Sequence, residues 1–317
     1  MTNGVVNPDQ RTAGASGSTY RFLRSIPTWV LWLLVVVWSI PTVGLMINSV
    51  RTRDQQRTSG WWTVWRDLGN LTLDNYRQVL GTTAAGGMAR GLTNSFAIAL
   101  PATIIPIAFA AFAAYAFAWI DFKHRQGLFI GTVALLAVPL QVALIPLLLM
   151  YVHGAHWTIP WLDKTITVFP NIHLAGTTTA VWLSHTAFAM PFAIFLLHNY
   201  MSSLPRDIFE SARIDGANHF RIFWRLVLPL SVPVLAAFAI FQFLWTWNDY
   251  LVAVTMIGAN QAAAPSTVVI AAQTGQFGQT EHLLTAGAFL QASVPLAVFF
   301  LLQRFFVRGI LAGSVKG

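Results

Sequence analysis

Cysteine is absent from the 317-residue chain, which removes disulfides, thiolate metal sites, iron–sulfur clusters and cysteine nucleophiles together. Charge is almost as scarce. Asp, Glu, Lys and Arg make up 9% of the residues, against about 25% in an ordinary soluble domain, so a soluble globular surface is excluded. Acidic groups are the rarer sign, 11 against 19 basic, for a net charge of +8. Also lacking are a Gly-rich phosphate cradle, a pair of carboxylates placed for acid–base work and a Ser-His-Asp arrangement, so no catalysis is expected of the chain itself. What remains is apolar: 56% of residues, with 23 Phe, 13 Trp, 22 Gly and 15 Pro. That composition fits a polytopic helical membrane protein rich in interfacial aromatics and helix breakers. The basic surplus then serves the bilayer surface and the topology, and nucleic acid is not an expected partner.

A membrane helix needs about 20 apolar residues, and about six runs qualify. They lie near Ile26–Asn48, Ser95–Ile120, Gly127–Val152, Thr178–His198, Val227–Tyr250 and Leu284–Phe306. The expected fold is all-α: a polar, disordered cytoplasmic tail over residues 1–20, then one transmembrane domain over residues 21–317. The first run follows Arg21 and Arg24 but is too long for a signal-peptide core, so it reads as a retained span. Lys and Arg place both termini in the cytoplasm: Lys123 and Arg125, then Arg206, Arg213, Arg221 and Arg225, then Arg304, Arg308 and Lys316 all fall on that side. The opposing charges are Arg51, Arg53, Arg57, Arg66, Arg77 and Arg90 in the first outer loop, where Asp54, Asp67 and Asp74 accompany them. Trp61, Trp62 and Trp65 in that loop read as interfacial anchors. Prolines in or beside every span, such as Pro41, Pro101, Pro139, Pro191, Pro233 and Pro295, predict kinked helices.

Ionisable residues inside spans mark the ion path of a secondary transporter, and here they are nearly missing. Asp249 sits at the outer edge of the fifth span and His185 within the fourth, with no Lys or Arg deep enough to pair with either. His185 reads as a neutral histidine hydrogen-bonded to a neighbouring helix. His153 and His156 lack a third ligand, so no metal site is expected. Energy for pumping must come from outside the chain.

Between the fourth and fifth spans, residues 199–229 do not read as a plain loop. Pro205 suits a helix start, with Asp207 and Glu210 in the opening turns. Ile208, Phe209 and Ala212 form an apolar stripe, and Glu210 and Arg213 are spaced to pair. Asp215-Gly216 ends this helix, because Gly takes a left-handed cap without steric cost. Asn218 caps a second short helix with Phe220, Phe223, Trp224 and Val227 on one side and Arg221 and Arg225 on the other. The result is a helix-Gly-helix elbow too short to span. It fits either lipid headgroups or a groove on a cytosolic partner.

Glu210-Ser-Ala-Arg-Ile-Asp-Gly-Ala-Asn218, followed by Leu228-Pro229, resembles the signature loop of ABC importer permeases, with Ser211 in place of the usual Ala. Gln303-Arg-Phe-Phe-Val-Arg-Gly-Ile-Leu-Ala-Gly-Ser-Val-Lys-Gly317 is similar to the tail of one permease of maltose-type carbohydrate importers. Leu73-Asp-Asn-Tyr76, Ala114-Tyr-Ala116 and Trp247-Asn-Asp249 extend the likeness over most of the chain. Arg53-Asp-Gln55, Ser59-Gly-Trp-Trp62 and His282-Leu-Leu-Thr-Ala-Gly287 resemble the α-glucoside branch. The resemblance implies a membrane subunit working with a second homologous permease, an ATPase dimer and an extracytoplasmic sugar-binding protein in the cell membrane. It binds no cofactor itself; ATP and Mg act through the partner ATPase. Carried over by position, Glu210, Ala212, Asp215, Gly216 and Ala217 form the ATPase-coupling element. From the tail, residues 307–317, Gly313, Ser314, Val315, Lys316 and Gly317 reach the ATPase. Sugars bind to aromatic faces and directed hydrogen-bonding groups, which makes Gln242, Trp247, Asn248, Asp249 and Tyr250 substrate-pathway candidates in the fifth span.

Overall fold

The computed structural model describes residues 27–81, 87–273 and 280–314. The N-terminal tail and Val315, Lys316 and Gly317 lie outside the described residues. Among the described residues, four helices are long and apolar enough to cross a bilayer: α1 (Thr28–Ser49), α4 (Gly87–Trp119), α7 (Thr178–Ser202) and α13 (Glu281–Ser314), the last through Gln303. Between α1 and α4 lie two short helices, α2 (Arg53–Thr58) and α3 (Asp74–Gly81). The other two expected spans are bent pairs. The stretch Arg125–Ala137, which begins with α5 (Arg125–Ala134), turns through 101° into α6 (Leu140–His153). The run expected over Gly127–Val152 is therefore two pieces. Val138 is forced extended ahead of Pro139, which stands at the N-cap of α6.

After α7 come α8 (Arg206–Ile214) and α9 (His219–Leu230), and α9 bends by 69° into α10 (Val232–Trp247). Sixteen residues make α10 only about 24 Å long. The chain breaks at Asn248–Tyr250 and resumes as α11 (Leu251–Ile257), then α12 (Ser266–Gln273) and α13. One departure from an all-helical chain is a hairpin of β1 (Ala155–Ile159) and β2 (Lys164–Phe169), paired antiparallel with Trp157 opposite Ile166 and Thr158 opposite Thr165. Its alternating Thr, Ile and aromatic residues favour strand over helix.

The centre of the molecule is the α4–α7 pair. Ala110, Ala111 and Ala114 on α4 are buried in one cluster with Ala189 and Ala193 on α7, and such small side chains let backbones approach closely. α1 stands at the periphery. Trp29, Trp32 and Trp38 are exposed, and Gly44 and Ser49 are its buried residues. A bilayer covers that apolar surface.

The first outer segment is stapled by Arg51, which is buried. Its guanidinium donates to Asn48 Oδ1 at 3.0 Å, to the Gln55 carbonyl at 2.7 Å and to the Ser59 carbonyl at 3.1 Å. Burial lowers its pKa from the usual value while Asp67 works in the opposite direction. Asn75 of α3 donates to the carbonyls of Ser49 and Arg51, and Tyr76 to Ser49 Oγ. Trp61 is not a free interfacial anchor: it is half-buried, and its indole lies so close to Gly44 that a Cβ there would come within 2.9 Å. Trp62 and Trp65 remain exposed.

Candidate functional site

The elbow begins at α8, with Pro205 at its N-cap, Asp207 in the first turn and Arg213 in the last. It ends in a Schellman turn. The Ala217 amide donates to the Ala212 carbonyl at 2.9 Å and the Gly216 amide to the Arg213 carbonyl at 3.0 Å, with Gly216 at φ +76°. Ala212 and Ala217 face each other across the turn at the edge of a shallow cleft of about 210 Å³, shared with Arg221 and Arg225. Asn218 then caps α9 by accepting from the Arg221 amide at 2.9 Å.

Aromatic contacts tie the elbow to the bundle. Phe209 stacks on Trp119 at 3.6 Å and 15°, and the Trp119 indole donates to the Met201 carbonyl. Tyr115 is hydrogen-bonded to His219 at 2.9 Å, and Phe223 stacks on Phe112. The buried residues of α9 are Ile222, Phe223 and Val227. Phe220 and Trp224, expected on this side, are 69% and 46% exposed. A π-turn over Phe223–Val227 inserts an extra residue into the helical repeat and shifts its phase from Phe223 onward, which bears on Trp224 and not on Phe220 before it. The expected Glu210–Arg213 pair is not among the ion pairs of the described residues. Both side chains line a polar cleft of about 350 Å³ beside Trp119, Arg125 and Arg206. Glu210, Asp215, Gly216 and Ile214 thus form an exposed edge, with Ile214 87% exposed.

The tail candidates separate. Gly313 and Ser314 fall in the last turn of α13, and Val315, Lys316 and Gly317 lie outside the described residues.

The pathway candidates separate as well. Gln242 is buried and donates to the Ala102 carbonyl at 3.2 Å. Trp247 is buried too; its indole donates to the Gln291 carbonyl, and Gln291 Nε2 donates back to the Trp247 carbonyl. Gln291 in turn contacts Ser266, which is bonded to Ser95 at 2.7 Å. Gln242 and Trp247 are therefore committed to packing α10 against α4 and α13. Asn248 and Tyr250 are exposed and line a cleft of about 350 Å³ with Thr267 and Gln291. Trp245 lines a second, larger cleft of about 460 Å³ with Pro139, Phe188 and Pro191, where the α5–α6 bend meets α7.

Asp249 lines neither cleft. Its carboxylate accepts from the amides of Val252 and Ala253, capping α11, and its carbonyl accepts from Thr267. It also lies 3.4 Å from Nε2 of His185, which is fully buried. Sequence reasoning gave each a place without pairing them, although they stand out as ionisable residues in adjacent spans. Residues beside the segments likened to the α-glucoside branch bond to them: Arg51 holds the Gln55 carbonyl and Ser59, and Gln56 of α2 reaches Thr285 on α13 at 3.4 Å.

Residues 106–312 match the family described as binding-protein-dependent transport system inner membrane component. The chain is 47% identical over 316 residues to the osmoprotective compounds uptake permease protein GgtD of Synechocystis, covering 98% of this chain and 99% of that one. It is 39% identical to the alpha-glucoside transport system permease protein AglG of Rhizobium meliloti, covering 93% and 98%. Its fold is similar to a chain in the crystal structure of a bacterial ABC transporter involved in the import of the acidic polysaccharide alginate, at TM-score 0.66 and 15% identity, covering 96% of this chain and 100% of that chain.

Proposed function

Because the chain belongs to the binding-protein-dependent transport system inner membrane component family and is a permease subunit of an ABC sugar importer, we propose that it carries neutral α-glucosides such as maltose or trehalose. The name of one relative, an alpha-glucoside transport system permease, supports this substrate class. The chemistry of the open cleft is consistent with it, since the exposed Asn248 and Tyr250 offer hydrogen-bonding groups and an aromatic ring without a charge. Trp245 offers an aromatic face in a separate cleft. The pathway wall we assign is therefore Asn248, Tyr250 and Trp245, with Gln242, Trp247 and Asp249 holding it from behind.

The observation that carries the coupling role is the Schellman elbow, an exposed Glu210–Ala217 edge on a base fixed by Trp119 and Tyr115. In this reading a partner ATPase dimer grips the elbow, a second permease completes the pathway, and a binding protein delivers sugar from outside. Both termini lie in the cytoplasm. ATPase closure and opening shift the bundle between outward-facing and inward-facing populations, with hydrolysis on the partner.

The test is uptake of labelled maltose and trehalose into proteoliposomes holding the assembled importer, with glycine betaine and an acidic oligosaccharide as competitors. Competition by neutral α-glucosides alone is expected. Competition by the charged compounds instead would overturn the substrate class. In the same assay Asn248→Ala is expected to raise the KM for sugar about tenfold while leaving basal ATP hydrolysis unchanged.

A further inference from the structure

The elbow continues through α9 into α10, so a push on the elbow travels along α10 as far as the break at Asn248–Tyr250. Beyond the break the outer half is a separate piece, α11. It is tied to the segment that leads into α7: the Gly176 amide donates to the Met256 carbonyl at 2.7 Å and Asn260 Nδ2 to the Gly176 carbonyl at 2.8 Å. The chain itself crosses the break, with the Asp249 amide donating to the Thr246 carbonyl of α10 at 3.3 Å, so the question left is how motion of α10 is shared with α7.

We propose that the contact between His185 and Asp249 is a latch that carries the motion of α10 across this break into α11 and α7. Asp249 stands in the break itself. Its two carboxylate oxygens each accept an amide of α11, Val252 at 3.3 Å and Ala253 at 3.0 Å, so the residue moves with the first turn of that helix. Oδ2 also faces His185 Nε2 at 3.4 Å, and His185 belongs to the buried middle of α7. The edge of the His185 ring meets Trp245 on α10, with centroids 5.3 Å apart. One imidazole therefore touches α10 below the break and the carboxylate within it, and is itself part of α7.

The hydrogen bonding of His185 suits a contact that changes during the cycle. Both ring nitrogens are buried and neither makes a hydrogen bond here; Nε2 approaches Asp249 Oδ2 at 3.4 Å without hydrogen-bond alignment. A buried polar group left in this condition is rare and costly in a settled core. In the latch as proposed, Nε2 and Oδ2 come into hydrogen-bond alignment at another point of the cycle. The rest of the junction is already satisfied: Gln242 and Trp247 bind α10 to α4 and α13 below the break, and Thr267 binds α12 to the Asp249 carbonyl. The latch rests on the reading of the chain as a coupled permease but is independent of which sugar it carries.

Because the chain has no cysteine, Leu251→Cys, at the exposed start of α11, gives a reporter unique within this chain, read on its own band after labelling. Its rate of reaction with a membrane-impermeant maleimide is measured in the full importer in nanodiscs, without nucleotide and trapped with ATP and vanadate. The two rates are expected to differ by about fivefold or more. His185→Asn, too short to reach the carboxylate, should bring them together. His185→Gln, whose amide nitrogen falls near the position of Nε2, should restore the difference. Asp249→Asn should match His185→Asn, and the double variant should be no worse than either single one. Should His185→Asn not assemble, Asp249→Asn carries the comparison alone. A His185→Asn importer that keeps the full difference, or effects that simply add, overturns the latch. If the reporter does not respond to nucleotide even with His185 and Asp249 intact, the coupled-permease reading fails with it.

Discussion

Gly216 has φ +76°, and a Cβ built on it meets nothing within 4 Å. Substitution there is therefore a question of backbone conformation and not of space. A β-branched side chain resists the left-handed region by about 2 kcal/mol, whereas Asn tolerates it. Gly216→Val is expected to insert and assemble yet lose ATP-linked uptake, and Gly216→Asn to keep most of it; equal transport by the two would remove the turn from the mechanism. This residue was legible in the sequence, because Asp-Gly after a short amphipathic helix has one common solution. Gln242 and Trp247 were not. A polar or aromatic side chain inside a span gives the same pattern whether it lines a path or bonds a neighbouring helix, and here both bond neighbouring helices. His185 and Asp249 were each visible, but their separation of 64 positions leaves no periodicity that could pair them.

The two arms of the elbow hold their angle through α4. Trp119→Ala removes both the ring under Phe209 and the donor to the Met201 carbonyl. A loss of about 3 kcal/mol is expected for truncating an aromatic so placed, read as a lower thermal midpoint of the detergent-purified complex. Tyr115→Phe loses one hydrogen bond to His219 and should cost about 1 kcal/mol. A larger loss from the second change than from the first would show that the elbow hangs on α9 and not on α8. The hairpin is rooted differently. Gly154 has φ +75°, and a Cβ there would lie 2.6 Å from the Phe169 carbonyl oxygen. Gly154→Ala should loosen the hairpin base, seen as faster proteolysis between Gly154 and Asn171, and leave the elbow unaffected.

The hairpin and the 101° turn at Val138–Pro139 were hidden by hydropathy, which counts apolar residues without regard to direction. The elbow helices were plain because their caps and stripe obey local rules. The inward face of α9 was misjudged for Trp224, which lies in a π-turn that leaves no mark on an α-helical repeat; Phe220, in the regular turn before it, is simply exposed.

At the scale of the whole molecule, the surfaces assigned to work are open. The candidate pathway is a cleft open along Asn248 and Tyr250, the elbow ends in an exposed edge with Ile214 at its tip, and the spans contain almost no ionisable groups. Each of these fits a permease that receives its energy, its sugar and the other wall of its pathway from partners. Family membership supports that division of labour, and the cysteine-free sequence makes it easy to probe. The most direct measurement is uptake of labelled trehalose or maltose into proteoliposomes containing this chain, either alone or with its ATPase, second permease and binding protein. The account predicts uptake only in the complete assembly, with ATP on the elbow side and binding protein on the opposite side, and its loss in Gly216→Val. Uptake by the chain alone under an ion gradient would contradict it.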